Sequence, residues 1–392
     1  MTAIPRLRAH FGPALLSYGF RPFFLFGACY AALAILAWLP LFYGEFVLAT
    51  AFSPRDWHVH EMLYGYIPAV VTGFLLTAIP NWTGRLPLQG WPLLVLVIAW
   101  AAGRVAVTLS AEIGWLAAAL IDSGFLLLVV AATAREIIAG RNWGNLKVLI
   151  PVTVLGLGNA GFHVEAHMRG AADYGVRVGI AGVLVLIMVI GGRVIPSFTR
   201  NWLARQNPGR LPVPFGKLDA ATIALSAAAL ALWIVTPFGS VTAVALFAAG
   251  VLQALRLARW AGDRTLRDRL VFVLHVAYAF VPLGFVLAAS GAIGLVAPSA
   301  GLHAWMVGAA GMMTVAVMTR ATLGHTGHAL AASVQTQFIY AAVFIAAVTR
   351  ICAAVEPSWS QLELHIAAFA WTTAFLGFCI VYGPMLWSPK KT

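Results

Sequence analysis

The chain has 392 residues, of which 61% are hydrophobic and only 10% charged, and its mean hydropathy is +0.89. This balance excludes a soluble globular domain, and the apolar runs leave no polar stretch beyond roughly 20 residues that could form an extramembrane domain. The net charge of +12 does not indicate nucleic acid, because the basic residues form neither a continuous stripe nor an aromatic RNA-binding motif.

The chain reads as all-α, a single integral membrane domain with twelve transmembrane helices. The first predicted span, 22–44, opens within Phe20-Arg21-Pro22-Phe23-Phe24-Leu25, and no signal-peptide cleavage pattern follows it. The second, 61–80, is entered through Trp57-His58-Val59-His60-Glu61-Met62. Spans 91–109 and 113–133 follow so closely that they form a tight hairpin, the second with Asp122 at its middle. His163 lies in 147–166, and 178–197 carries Gly191-Gly192-Arg193 near its end. After 217–236 and 239–256 comes 270–290, with His275 about one and a half turns inside. Span 300–319 holds His303 at one end and is followed by His325 and His328; 335–354 and 362–387 complete the set.

With an even number of helices both termini fall on one side. Placing them in the cytoplasm puts nineteen Lys and Arg inside and five, Arg55, Arg104, Arg169, Arg177 and Arg350, outside, with Arg193 within a helix. That bias predicts both termini inside. Three spans that run inward end in similar strings, Ala78 to Arg85, Val194 to Trp202 and Ala316 to His325, four helices apart. They suggest a four-helix unit used three times, an arrangement similar to the haem–copper oxidase core, although the histidine pattern of that family is missing. Interfacial aromatic and basic residues would produce the same strings without a repeat.

Imidazole and carboxylate groups at lipid depth cost several kcal/mol unless paired or bound. The topology sorts the histidines by depth: His58, His60, His163, His167 and His303 near the outer face, His275, His325 and His328 near the inner. A core roughly 30 Å thick separates the groups, so two sites, or one site with a conducting path, are expected. His58 and His60, two residues apart, stand about 200° apart around a helix and cannot share a face. Neutral imidazole suits iron, copper and zinc, and Glu61 or Glu165 could orient such ligands or carry protons. Asp122 reads as a buried, hydrogen-bonded acid. Arg193 reads either as a side chain reaching the interface or as a clamp on a haem propionate. His10 and His365 read as ordinary interfacial histidines. There is no HExxH, because Tyr64 stands where its second histidine would be, and there is no Walker loop, GxSxG or CxxCH motif.

Phe20 to Leu25, Trp57 to Met62, Gly73 to Arg85, Gly191 to Trp202, Leu274 to Gly284 and His303 to Gly327 together resemble the NnrS family. These are twelve-helix bacterial inner-membrane proteins linked to the nitric oxide response and described as containing haem and copper. The resemblance implies His58, His60, His163, His275, His303 and His325 as ligand candidates. His328 departs from it, since an arginine is expected after Gly-His-Thr-Gly, and His167 is peculiar to this chain.

It further implies one or two non-covalent haem b groups, copper as a second metal, and nitric oxide as ligand or substrate in the lipid phase, with no electron donor named by the sequence. On this expectation the outer reaction centre is a haem, or another metal, ligated by a subset of His58, His60, His163 and His303. Glu61 is its proton donor, His275 and His325 hold a second group, and NO is reduced to N2O. The competing expectations are a non-catalytic haem or copper protein that senses, sequesters or delivers its cargo under nitrosative stress, and a transporter. The placement of the candidates at the two faces, rather than at the midplane, disfavours transport.

Overall fold

The computed structural model describes residues 11–206 and 209–390, so His10 lies outside the described residues. Twelve helices are long and apolar enough to cross a membrane, as the sequence predicts, and no strand occurs among the described residues. They are α1 (Phe20–Phe42), α2 (Pro54–Thr83), α3 (Trp91–Thr108), α4 (Trp115–Ala139), α5 (Trp143–Arg169) and α6 (Asp173–Leu203). The second six are α7 (Lys217–Val235), α8 (Ser240–Ala258), α9 (Arg269–Ala292), α10 (Ser299–Thr326), α11 (Val334–Val355) and α12 (Pro357–Trp387).

Local chemistry sets the helix starts where the chain enters from a loop. Ser53 accepts the amide of Asp56 with Pro54 at the first turn of α2, Asp268 accepts the amides of Leu270 and Val271 at α9, and Ser333 accepts that of Thr336 at α11. Each side-chain acceptor satisfies amides that have no partner within the helix, which matters most where water is scarce.

The chain forms two compact units: residues 11–179, 321–329 and 378–390 in the first, and 180–206, 209–320 and 330–377 in the second. In the first, α1 lies against α2, where Gly27 faces Ala69, and against α4, where the rings of Phe23 and Phe125 stand 5.9 Å apart. In the second, the fully buried Trp305 donates to the Val281 carbonyl at 3.1 Å and lies between the rings of Trp233 and Phe285. Lipid tails are as apolar as these side chains, so close packing and interhelical hydrogen bonds hold the helices together, not a general flight from water.

Three helices contain a stretch of wider, π-type turns: Glu61–Tyr66 in α2, Ile187–Gly191 in α6 and Ala304–Gly311 in α10. These helices also have the most buried central windows of the twelve, 78%, 67% and 67%. They are the three whose ends carry the similar sequence strings. A π turn shifts the hydrogen-bond ladder by one residue and lets backbone carbonyls turn toward neighbours. The Gly65 carbonyl accepts from Trp100 Nε1 at 2.9 Å, and the Met188 carbonyl accepts from Arg256 Nη1 at 3.0 Å.

Candidate metal centre

The first unit buries a polar cluster built from five helices. Its α2 supplies His60 and Glu61, α3 Arg104, α4 Asp122, α5 Asn159 and His163, and α1 Tyr30. Asn159 and His163 are one turn apart on α5 and therefore share the face turned to α4. The wide turn that begins at Glu61 matters here. A Cβ on Gly65 would meet the Arg104 guanidinium and lie 3.0 Å from Glu61 Oε2, so only glycine leaves room for the arginine.

Arg104 is the cluster's only guanidinium and bridges its two carboxylates. Nη1 donates to Glu61 Oε2 at 2.7 Å, and Nη2 donates to Asp122 Oδ1. Tyr30 donates its hydroxyl proton to Glu61 Oε2. Glu61 Oε1 stands 3.0 Å from His60 Nδ1. The other nitrogen of His60 faces two oxygens, Asn159 Oδ1 at 3.0 Å and Asp122 Oδ2 at 3.1 Å. Asp122 Oδ2 also lies 3.0 Å from His163 Nε2 and accepts from Asn159 Nδ2 at 2.8 Å. Phe52 and Phe162 pack on the imidazoles, with ring centroids 5.1–5.4 Å away. His60 and Glu61 are 0% exposed, Asp122 1% and His163 2%, so solvent does not reach the group.

Two features make this buried network a candidate ion site. The first is direction. An oxygen faces His60 at both nitrogens, and one ligand atom each of His60, His163 and Asp122 lies within 4.8 Å of the other two. A neutral imidazole carries one proton, so the contacts need either an additional proton or a cation shared by the three atoms. Ligand atoms held at about 2.1 Å from one ion stand about 3 Å apart in an octahedral arrangement, the spacing seen here. The second is charge. Two buried carboxylates face one guanidinium, leaving a formal negative charge to be matched where desolvation is expensive.

The structure brings His60, Glu61 and His163 together from among the sequence candidates, and Asp122 proves to be the hub. Of the outer candidates His58, His60, His163 and His303, the structure brings His60 and His163 together, with Asp122 as the third group. His58 lies on the other side of its helix turn, as the two-residue spacing requires, with its ring stacked on Trp38 at 4.1 Å. His303 belongs to the second unit, where its Nδ1 lies 2.6 Å from the Ser299 carbonyl. His275, also in the second unit, pairs with Thr199 Oγ1 at 2.8 Å. His325 lies in the first unit, 5.6 Å from the Tyr18 ring, and lines a cavity. Arg193 is exposed on α6, so it is not a buried clamp.

Arg104 and Asn159 are the residues that sequence reading missed. Arg104 had been assigned to an outer loop; it is 5% exposed inside α3. The usable signal was a lone arginine in an apolar run facing a lone aspartate, Asp122, in the next. Arg256, assigned to an inner loop, is likewise fully buried in α8, and the inward charge bias survives the removal of both.

None of the curated proteins compared matches the chain. A family model described as NnrS protein matches residues 14–390, nearly its whole length. The chain therefore belongs to the NnrS family.

Proposed function

We propose that this chain is a metal-dependent membrane protein of the nitric oxide response that reduces NO to N2O at an ion held by His60, His163 and Asp122. The observation that carries the reading is the convergence of the three ligand atoms within 4.8 Å at a site closed to water. Two imidazoles and a carboxylate match the donor set used for non-haem iron with open positions, and copper accepts the same donors. A haem does not fit this cluster, because a porphyrin cannot enter between groups 3.0–3.1 Å apart. Any haem b bound by this chain is therefore held elsewhere.

A redox-active ion bound here would supply an open position for NO and a route for electrons. The surrounding residues define its setting. Glu61 holds His60 at Nδ1 and would leave Nε2 to ligate an ion, as carboxylates behind metal-bound histidines commonly do. Arg104 holds both carboxylates in place and limits their mutual repulsion. Phe52 and Phe162 keep water out, while NO, small and apolar, reaches a buried site through lipid. Two NO, two electrons and two protons give N2O and water, with the electrons arriving from a donor outside the chain.

The charge bias supports an orientation with both termini cytoplasmic, in keeping with a location in the bacterial inner membrane. The non-catalytic alternative, in which the protein senses, sequesters or delivers its cargo, rests on the same three ligands and differs from reduction only in turnover.

The test is elemental analysis of the purified chain. About one iron or copper per chain is expected, with loss of the ion in His163→Ala and Asp122→Asn. A folded wild type without a transition metal, or full metal content in both variants, would sink the assignment. Loss of NO in a single turnover of the dithionite-reduced protein separates reduction from binding alone.

A further inference from the structure

The first unit has a second polar feature, a cavity of about 390 Å³ at the start of α1, the end of α2 and the chain just beyond α12. Arg21, Arg85, Lys390 and His325 line it, with Asn81 and Gln89, and no carboxylate does among the described residues. Glu136 pairs with Arg85 at 2.5 Å, which leaves Arg21 and Lys390 as the cations without an acidic partner among the described residues.

Arg21 is the informative one. It is 3% exposed, yet among the described residues its side chain hydrogen-bonds only to main-chain carbonyls, those of Met385, Leu386 and Ser388, and all three bonds use Nη1. Carbonyls at a helix C-terminus carry only a fraction of a charge, so they offset a buried guanidinium in part. The planar fork keeps Nε and Nη2 for a further acceptor. A volume of about 390 Å³ lies within the roughly 300–1,000 Å³ of small-molecule pockets.

We infer that this cavity binds a phosphate-bearing anion, with Arg21 as its buried anchor and Lys390 and His325 at its rim. Phosphate matches the fork of Arg21 and balances the excess positive charge. The same group could come from a soluble phosphate compound or from a phospholipid headgroup at the membrane surface.

The full chain in maltoside micelles free of phospholipid is titrated calorimetrically with inorganic phosphate in one arm and short-chain phosphatidylglycerol in the other. Saturable binding in the first arm identifies a soluble ligand, and saturable binding in the second alone a headgroup. The Lys390→Gln/His325→Gln chain, whose changes avoid the carbonyl contacts of Arg21, is expected to bind about tenfold more weakly, the loss of roughly one charge-assisted hydrogen bond. Arg21→Gln is expected to lose more. No saturable binding in either arm, or wild-type binding by the double variant, overturns the proposal. Metal content plays no part in this readout, so failure here leaves the metal centre standing, and the reverse holds too.

Discussion

Each unit buries an arginine against an aspartate from a neighbouring helix, beside a glycine in or next to a π turn, yet the two networks end differently. In the first, Arg104 faces Glu61 and Asp122, and two imidazoles complete the group. In the second, Arg256 Nε donates to Asp219 at 3.1 Å, and its Nη1 donates to the Met188 carbonyl and to Tyr278 Oη. Arg259 adds a contact to Asp219 at 3.3 Å, and Gln253 and Ser226 extend the network with neutral groups. Asp219 thus has two cations on one carboxylate, while Arg104 has two carboxylates on one cation. Among the described residues the first network gathers a group that could hold a metal ion, and the second does not. A buried arginine therefore says little about function until its partners are counted.

The sharpest way to break the comparison is to remove each arginine. Arg256→Gln leaves Asp219 without its buried partner, and taking one member from a buried pair costs about 3–5 kcal/mol. Chemical denaturation in detergent should show that loss whether or not iron or copper is present. Arg104→Gln should destabilise by a similar amount in metal-free protein, but added iron(II) should restore much of the loss, because binding to the folded state alone stabilises it. Equal indifference to metal in both variants would erase the distinction between the two networks.

Glu61→Gln sharpens the first side of the comparison. It keeps a hydrogen-bonding group behind His60 and removes the unbalanced charge. Changes behind a metal-bound histidine lower affinity by about 10–100-fold. Competition against a chelator should read that drop, and unchanged affinity would mean that Glu61 does not act on the ion through His60.

Gly192→Ala probes the second network. A Cβ there would collide with the Arg256 guanidinium. Overpacking of this kind costs about 1–3 kcal/mol, and the loss should appear in the unfolding midpoint without any change in metal content. A variant as stable as the wild type would show that Arg256 can move aside, and that its network is less rigid than the packing suggests.

These contrasts also show what the sequence could and could not reveal. Twelve spans were legible because lipid demands uninterrupted apolar helices of a fixed length. His60 and His163 were legible as candidates because imidazole at that depth needs a reason. Their partner was not. Nothing in the spacing of Asp122 from His163, 41 positions away, says that α4 and α5 meet at that height. Arg104 was misplaced because counting charges by loop assumes that an arginine near a span end points outward, whereas a glycine at position 65 had made room for it inside. The π turns left no sequence mark at all; they follow from side chains and carbonyls that meet only after the helices have packed.

The smallest expected effect belongs to Arg193. Its place after Gly191-Gly192 left it either reaching the interface or clamping a haem propionate, and the contrast with its neighbour is instructive. Gly192 faces the buried Arg256, while Arg193, one position on and about 100° around the helix, is exposed. A buried arginine in a spanning helix has to be built around, as Arg104 and Arg256 are; an exposed one can reach the interface along its own apolar stem. Arg193→Gln should therefore change stability by no more than about 0.5 kcal/mol and leave bound metal untouched. Denaturation and elemental analysis of one preparation test both parts. A large loss in either would mean that Arg193 supports the fold or the metal site from its exposed position.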